Sequence, residues 1–439
     1  MGRKRYIAWI LAAMLTLLAF TGCQETSKAM TWSVNVGGGD YDTLQDAVLD
    51  GSDLISVGYM QSSDGNFAAI TQLGLSDGLI VKTDSSGQIL WSRNFGGSGH
   101  DVLHTIVKST KGSYIIGGYS SSADNQIVAE NARGQQDAVL AKMDQDGNVT
   151  SVVNFGGSDD EWFKSIAATR DGGCIAVGRT SSTDKDLEPA GPRGDFDAMI
   201  VKYDADLNMQ WIRLFGGSEF DEFTDVGTTS DGGYIVVGAT QSKDGDISGL
   251  STYDKKHALI VKYNASGEVE WKQIFGGSGE DMFNSVAIAQ DKGFVAAGSS
   301  SSNDGSMNGA NQGDNDAILV KYSTEGTMEW KSTFGGTDKD EFLDVKAVGS
   351  EFIVSGHTKS TDGAIEGLTA GGSYDALLVK FDKTGTVTWK QIYGGGSWDR
   401  YNAVLNKGST YYVVGSTLSD NLPGLTLWGK DDCLIAQYK

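Results

Sequence analysis

Apolar residues in this chain fall into short runs, several of them alternating with polar ones, and each run ends at a turn signal. The stretch between Phe215 and Phe275 shows the pattern best. An apolar-rich run over 221–228 comes first, followed by Asp231, Gly232 and Gly233, where glycine supplies the positive φ of a tight reversal. Tyr234, Ile235, Val236 and Val237 form a second run that ends at Gly238. A polar loop over 241–256 leads to a third run at 258–263, and 264–267 reads as a hairpin turn. Residues 268–271 alternate on the way back to Phe275. Runs of β-branched and aromatic residues bounded by turn residues predict strands, so the unit holds four, A to D. After the leader, no run of ten or more residues carries helical periodicity.

The same unit occurs seven times. Its anchor is an aromatic followed by two glycines at Phe95, Phe155, Phe215, Phe275, Phe334 and Tyr393, with Val36 opening the seventh copy. Successive anchors lie 59, 60, 60, 60, 59 and 59 residues apart, a period that belongs to solenoids, propellers or arrays. Four short strands per unit predict a propeller blade. The two ends of the chain complement each other. The last unit stops after strand C at 433–438, whereas the chain beyond the leader opens on an orphan D strand, 32–36. Trp32 precedes Val36 by four positions, as Trp91 precedes Phe95 and Trp271 precedes Phe275. Pairing the two ends closes a ring and removes two exposed sheet edges. The prediction is all-β: a seven-bladed propeller of four-stranded blades over 32–439, closed by the N-terminal strand in the last blade.

The runs Asp-Gly-Gly-Tyr-Ile-Val-Val-Gly and Asp-Ala-Met-Ile-Val-Lys-Tyr-Asp, with the Phe-Gly-Gly ending, resemble those of bacterial seven-bladed β-propeller repeat proteins, which include secreted and surface lipoproteins. The resemblance covers 32–439. It implies an extracytoplasmic location and a binding or scaffolding role, and it supplies no catalytic residues, because propellers host many functions.

Residues 1–22 stand apart. Arg3, Lys4 and Arg5 precede an apolar stretch over 6–20 that is short for a membrane span. Thr21, Gly22 and Cys23 follow, as in a lipoprotein signal peptide, although Phe20 departs from the usual aliphatic residue there. An ordinary secretory signal with a chance cysteine is the alternative. With Cys23 diacylated, the two chains give firm membrane anchoring, and 23–31 is a lipidated tether. Cys174 and Cys433 occupy strand positions in the third and seventh blades, which do not adjoin, so both are expected to be buried thiols.

The net charge is −22, and loss of the basic leader makes the remainder more acidic still. That balance argues against nucleic acid and against electrostatic binding to anionic membranes, leaving the lipid as the only membrane contact. Many of the acids recur. Six positions after each anchor stand Asp42, Asp101, Glu161, Asp221, Asp281, Asp340 and Asp399. A second series occupies the B-to-C loops (Asp64, Asp124, Asp184, Asp244, Asp304 and Asp362, with Asn421 seventh). A third precedes strand C (Asp77, Asp137, Asp197, Asp316, Asp375 and Asp432, with His257 as the exception). In an up-and-down blade the D-to-A and B-to-C connections share one face, so these acids line one side of the disc. Calcium is one explanation, with Asp244 and Asp246 as candidate ligands. The other is that each acid accepts backbone N–H groups in its loop, as seven equal joints require. No cofactor is expected on the second explanation. Strand-C lysines such as Lys82 and Lys202 also recur and are expected to pair with these acids as weak exposed ion pairs.

What every blade shares is architecture, so function is sought where blades differ. Beside the first acid of each loop stand Tyr41, Trp162, Phe220, Trp398 and Arg400, at positions that hold unrelated residues in other blades. Aromatics among polar groups bind sugar rings or peptide side chains; packing between blades is the plainer alternative. A phosphate-loop likeness at 424–430 lacks its Ser or Thr, and a nucleophile-elbow likeness at 74–78 sits in a B-to-C loop. Three functions remain. The first is a monomeric, cell-surface, lipid-anchored protein that binds a protein or glycan. The others are a secreted polysaccharide-active enzyme with carboxylates near the axis, and a calcium-stiffened structural surface protein.

Overall fold

The computed structural model describes residues 28–127, 134–191, 193–250, 253–368, 371–422 and 424–439. The signal-peptide segment 1–22 and the Cys23 lipidation site lie outside the described residues. The described chain forms seven four-stranded antiparallel sheets. Six are built from consecutive strands, over 42–95, 101–155, 161–215, 221–275, 281–334 and 340–393. The seventh takes strands A to C from 399–438 and its outer strand from Met30–Val36. Trp32 faces Gln437 and Val36 faces Cys433 in that pairing. The ring therefore closes as the unmatched ends require.

In the fourth blade the strands are Asp221–Thr228, Tyr234–Thr240, His257–Tyr263 and Val269–Phe275. Gly238 does not end strand B. Strand A carries a bulge there, with the register slipping between Phe223 and Asp225. The bulge brings the Glu222 carbonyl so close that a Cβ on Gly238 would lie 1.9 Å from its oxygen. Glycine thus lets strand B pass the bulge and run on to Thr240.

Adjacent blades join through apolar clusters, such as Ile175, Val177 and Ile200 of blade 3 against Phe223 and Val236 of blade 4. Cys174 and Cys433 are buried free thiols. A strand-D tryptophan also reaches across each typical joint. The Trp271 and Trp330 indoles donate to the Thr324 and Lys383 carbonyls of the next blade. Each ring covers a positive-φ glycine in that blade's C-to-D turn, Gly326 and Gly385. Trp32 does the same across the closure, donating to the Ser85 carbonyl and covering Gly87. One joint differs. Blade 2 has Ser151 where the tryptophan belongs, and the facing turn of blade 3 has Leu207 in place of glycine, at φ 63° and buried. A side chain in the turn fills the volume that the absent indole leaves, at a cost of about 1–2 kcal/mol for a left-handed leucine.

Strand-C lysines do not meet the loop acids. Lys202 follows Asp197 by five positions, which is about 17 Å along a strand. It therefore reaches the opposite face, where it pairs with Asp171 at 2.7 Å. Lys82, Lys262, Lys321 and Lys380 likewise meet Asp50, Asp231, Asp291 and Glu351 of the A-to-B turns. Lys202, Lys262, Lys321 and Lys380 are buried rather than exposed.

The compensation at the odd joint gives a double-mutant test. Ser151→Trp alone should overpack the Leu207 side chain and cost about 1–3 kcal/mol. Combined with Leu207→Gly it should recover most of that loss, read as a favourable coupling of about 2 kcal/mol in denaturant unfolding. Additive losses would contradict the exchange of volumes.

Candidate functional site

The loop face is built on the first two acid series. Asp221 accepts the Gly217 N–H at 2.9 Å and the Ser242 hydroxyl at 2.7 Å. Asp244 accepts the Ser218 N–H at 2.8 Å. The double glycine follows from this. A Cβ on Gly216 would lie 2.2 Å from the Asp221 carboxylate, and one on Gly217 would lie 2.2 Å from that of Asp244. The arrangement recurs at Asp101 with Gly97 and Ser122, at Glu161 with Gly157, and at Asp399 with Gly395 and Ser419. The third series caps the end of the same loop, as Asp316 accepts the Gln312 N–H and Asp432 the Trp428 N–H. Asp246, the second candidate calcium ligand, accepts the Gly216 N–H and the Arg193 guanidinium, both at 3.1 Å. Among the described residues no group of three His, Cys, Asp or Glu side chains is arranged to hold a metal ion.

The bulge residues of strand A, His104, Lys164, Thr224, Asn284 and Asn402 among them, line a central channel of about 590 Å³. Several bind the next blade: His104 contacts the Phe163 carbonyl at 2.9 Å, Thr224 donates to Phe283, and Asn402 donates to Leu44 across the closure. The residue after the bulge continues the chain of contacts. Ser165 donates to Asp225, the Ser285 hydroxyl lies between Asp225 and Asp344 at 2.8 Å from each, and Asp344 accepts the Val404 N–H. Lys346 pairs with Asp344 at 2.7 Å. Burial pushes the Asp46 carboxyl up to about 6 and pushes His104 down to about 3. The axial carboxylates were not singled out from the sequence, because Asp46, Asp225 and Asp344 alternate with Thr, Ser and Ala at this position. Each of the three accepts a backbone N–H from the following blade, at Ile106, Val286 and Val404.

The unequal residues lie in the clefts between blades and fall into two groups. Trp162 stacks on Tyr119 of blade 2 at 5.1 Å and donates to Gln136 at 2.6 Å. The Arg179 guanidinium sits 4.0 Å from the Trp162 ring, 4.7 Å from Phe196 and 5.4 Å from Phe220. It thereby unites Trp162 and Phe220, with buried Glu222 at 3.5 Å as its counter-ion. Both aromatics are half-buried.

The second group surrounds blade 7. Trp398 stacks on Tyr374 of blade 6 at 4.6 Å, and His357 packs edge-on to Tyr374. Desolvation first, and then the charge of Arg400, holds His357 down at about 4. Arg400 also opposes the desolvation that pushes Asp431 up to about 7. On the far side of the same blade, Lys430 lies over the Tyr41 ring at 4.9 Å. Among the described residues the exposed aromatics are Tyr41, Trp398 and Trp428, at 41%, 40% and 53%. All three belong to loop-face segments of blade 7 or its seam with blade 1. Trp428 is not legible from the repeat because it lies away from the positions beside the first acid. It occupies the position four before the pre-strand-C acid, where other blades have Leu73, Arg193 and Gln312.

The fold and this geometry define the class: a closed seven-bladed β-propeller whose blades differ mainly in the clefts of the loop face. No family model matches the chain. The regulatory protein FlaEY of Caulobacter vibrioides is 23% identical over 390 residues, covering 80% of this chain and 40% of that protein, so the chain spans less than half of that relative's length. Among solved structures, Kuenenia stuttgartiensis hydrazine synthase aligns with a TM-score of 0.50 at 10% identity, covering 86% of this chain and 93% of that one. BamB from Moraxella catarrhalis gives 0.43 at 11% identity, covering 94% and 99%. At such identities the likeness is one of fold.

Two predictions follow from the buried charges. Burial raises Asp42, Asp46, Asp221 and Asp316 to about 6 and Asp431 to about 7. The native state then binds more protons than the unfolded chain between about pH 4 and 6, so these groups lose stabilisation as pH rises through that window. His104 and His357, lowered to about 3 and 4, act in the opposite sense, but they are two against five. Asp171 is desolvated, yet hydrogen bonds from Lys202 and Thr169 hold it at about 2, so it adds a loss only in stronger acid. The melting midpoint should therefore be higher at about pH 5 than at pH 7.5; a midpoint that climbs steadily to neutrality would refute this balance. Arg179→Ala would leave Glu222 with Lys164, at 3.7 Å, as its remaining counter-ion, with an expected loss of about 1–3 kcal/mol in denaturant unfolding. Adding Glu222→Gln should recover part of it.

Proposed function

We propose that the chain is an exported, lipid-anchored binding protein on the bacterial cell surface that takes a protein or glycan ligand on its loop face, at blades 6, 7 and 1. The observation that carries this is the gathering of Tyr41, Trp398 and Trp428, exposed, around one blade of a nearly symmetric disc. Exposed aromatics placed together on a rigid scaffold offer large contact area at little cost in side-chain entropy. Arg400 and Lys430 supply polar handles beside them. Trp162 and Phe220 form the opposite wall of the face, with Arg179 already against their rings. The leader and Cys23 support export and lipidation, as does the resemblance to propeller-repeat surface lipoproteins.

A glycan array and a panel of surface proteins, probed with residues 24–439, tests the reading. For any ligand found, Trp398→Ala should weaken binding about tenfold or more, about 1.4 kcal/mol. Trp428→Ala should act in the same direction. A ligand whose affinity is indifferent to Tyr41→Ala, Trp398→Ala and Trp428→Ala together would sink the assignment.

A further inference from the structure

Residues 28 and 29 extend the outer strand of blade 7 past Met30, since Ala29 and Lys439 exchange backbone hydrogen bonds at 3.0 and 3.1 Å. Met30 faces Tyr438, at the end of strand C, whereas Val36 faces Cys433 near its start. Strand C starts on the loop face and ends on the opposite face, which carries the A-to-B and C-to-D turns. The chain therefore enters the disc on the turn face, at the rim of blade 7.

Covalent reach then decides the orientation. Five residue steps separate Cys23 from Lys28, at most about 18 Å of extended chain. From Lys28 to Val36 the strand climbs through eight steps, about 26 Å, and the loops rise beyond that. A lipid on Cys23 cannot reach past the thickness of the blade. Charge at the entry agrees. Lys28 donates at 2.6 Å to the Ser409 carbonyl, which leaves one cation at the entry.

We infer that the turn face at the rim of blade 7 rests against the phospholipid surface that holds the anchor, so that the loop face with Trp398 and Trp428 is turned away from that membrane. The inference rests on the lipid-anchor reading above and deepens it by fixing which face is presented.

The test supplies the anchor chemically. Residues 23–439 are coupled through Cys23 to a maleimide lipid in phosphatidylcholine–phosphatidylglycerol vesicles, with Cys174 and Cys433 shielded by burial. One variant carries a short epitope after Gly424 on the loop face, another between Lys383 and Thr384 on the turn face. A Fab fragment should bind the loop-face epitope on vesicles as it does in free protein, and the turn-face epitope about tenfold more weakly. A flexible insert of about twenty residues between 27 and 28 should restore the second. Equal access to both epitopes, or stronger protection of the loop-face one, would overturn the inference. Should the Lys383 insertion prevent folding, seen as loss of Fab binding in free protein, an insertion between Gly408 and Ser409 serves in its place. Failure of the anchor itself is read separately, as membrane fractionation in cells that Cys23→Ala leaves unchanged.

Discussion

A propeller must return to its starting point, and in this chain the return is one antiparallel pairing between residues 30–36 and 432–438. The pairing satisfies the outer edge of the last blade and carries Trp32 to the place where its indole can cover Gly87 of blade 1. Closure thus gives the seam the same tryptophan-over-glycine contact that the joints made by Trp271 and Trp330 use. It also fixes where the polypeptide enters the disc. The two consequences cannot be separated, because strand polarity alone sets both the direction in which Trp32 points and the face from which the chain arrives.

The loop face stands on a second constraint, the demand of buried backbone N–H groups for acceptors. Each D-to-A loop makes a tight double turn whose amides are served by a carboxylate from the start of strand A and by an acceptor from the B-to-C loop, a carboxylate at Asp244 and the amide oxygen of Asn421 in blade 7. Accepting several hydrogen bonds favours the charged carboxylate, while burial opposes it. At Asp42 and Asp221 burial prevails. The caps therefore hold the loops in place while leaving the disc sensitive to pH above the usual carboxylate range. The glycine pairs are the steric counterpart, since no side chain fits between amide and cap.

Much of this was legible in the sequence because it is repeated. Seven copies reveal the period, the four strands and the acid positions, and the mismatch of the ends reveals closure. What stayed hidden depends on neighbours across blades. The strand-C lysines looked like partners for the loop acids, but strand rise carries them to the other face. The strand-A bulge left only an indirect sign, the glycine in strand B that seemed to end it. Trp162 and Phe220 could be seen to differ from their equivalents, yet their linkage through Arg179 could not, because it joins two neighbouring blades. Trp428 lay in a loop whose alignment among blades is set by one capped acid, a register visible only once the cap is seen.

Symmetry explains why the departures gather at blade 7. Six blades are made from consecutive chain and must each satisfy the joint on both sides, which holds their loop residues to similar work. The Trp162 and Phe220 departures obey that rule, because cation and counter-ion fill their clefts and leave the rings half-covered. Blade 7 is assembled from both ends of the chain, and its B-to-C loop runs from Leu418, bonded to Trp398, to Asp431, beside Tyr41. The B-to-C loops of the other blades span two seams in the same way, as Ser181 and Phe196 show in blade 3, but the one in blade 7 has the exposed Trp398 and Tyr41 at its two seams. The blade that locks the ring is thus also the one whose loop face is least committed to packing, and its outer strand begins on the opposite side. Stability and presentation are served by the two ends of one blade, so a change in the loop can alter what the face binds without touching the contacts that close the disc.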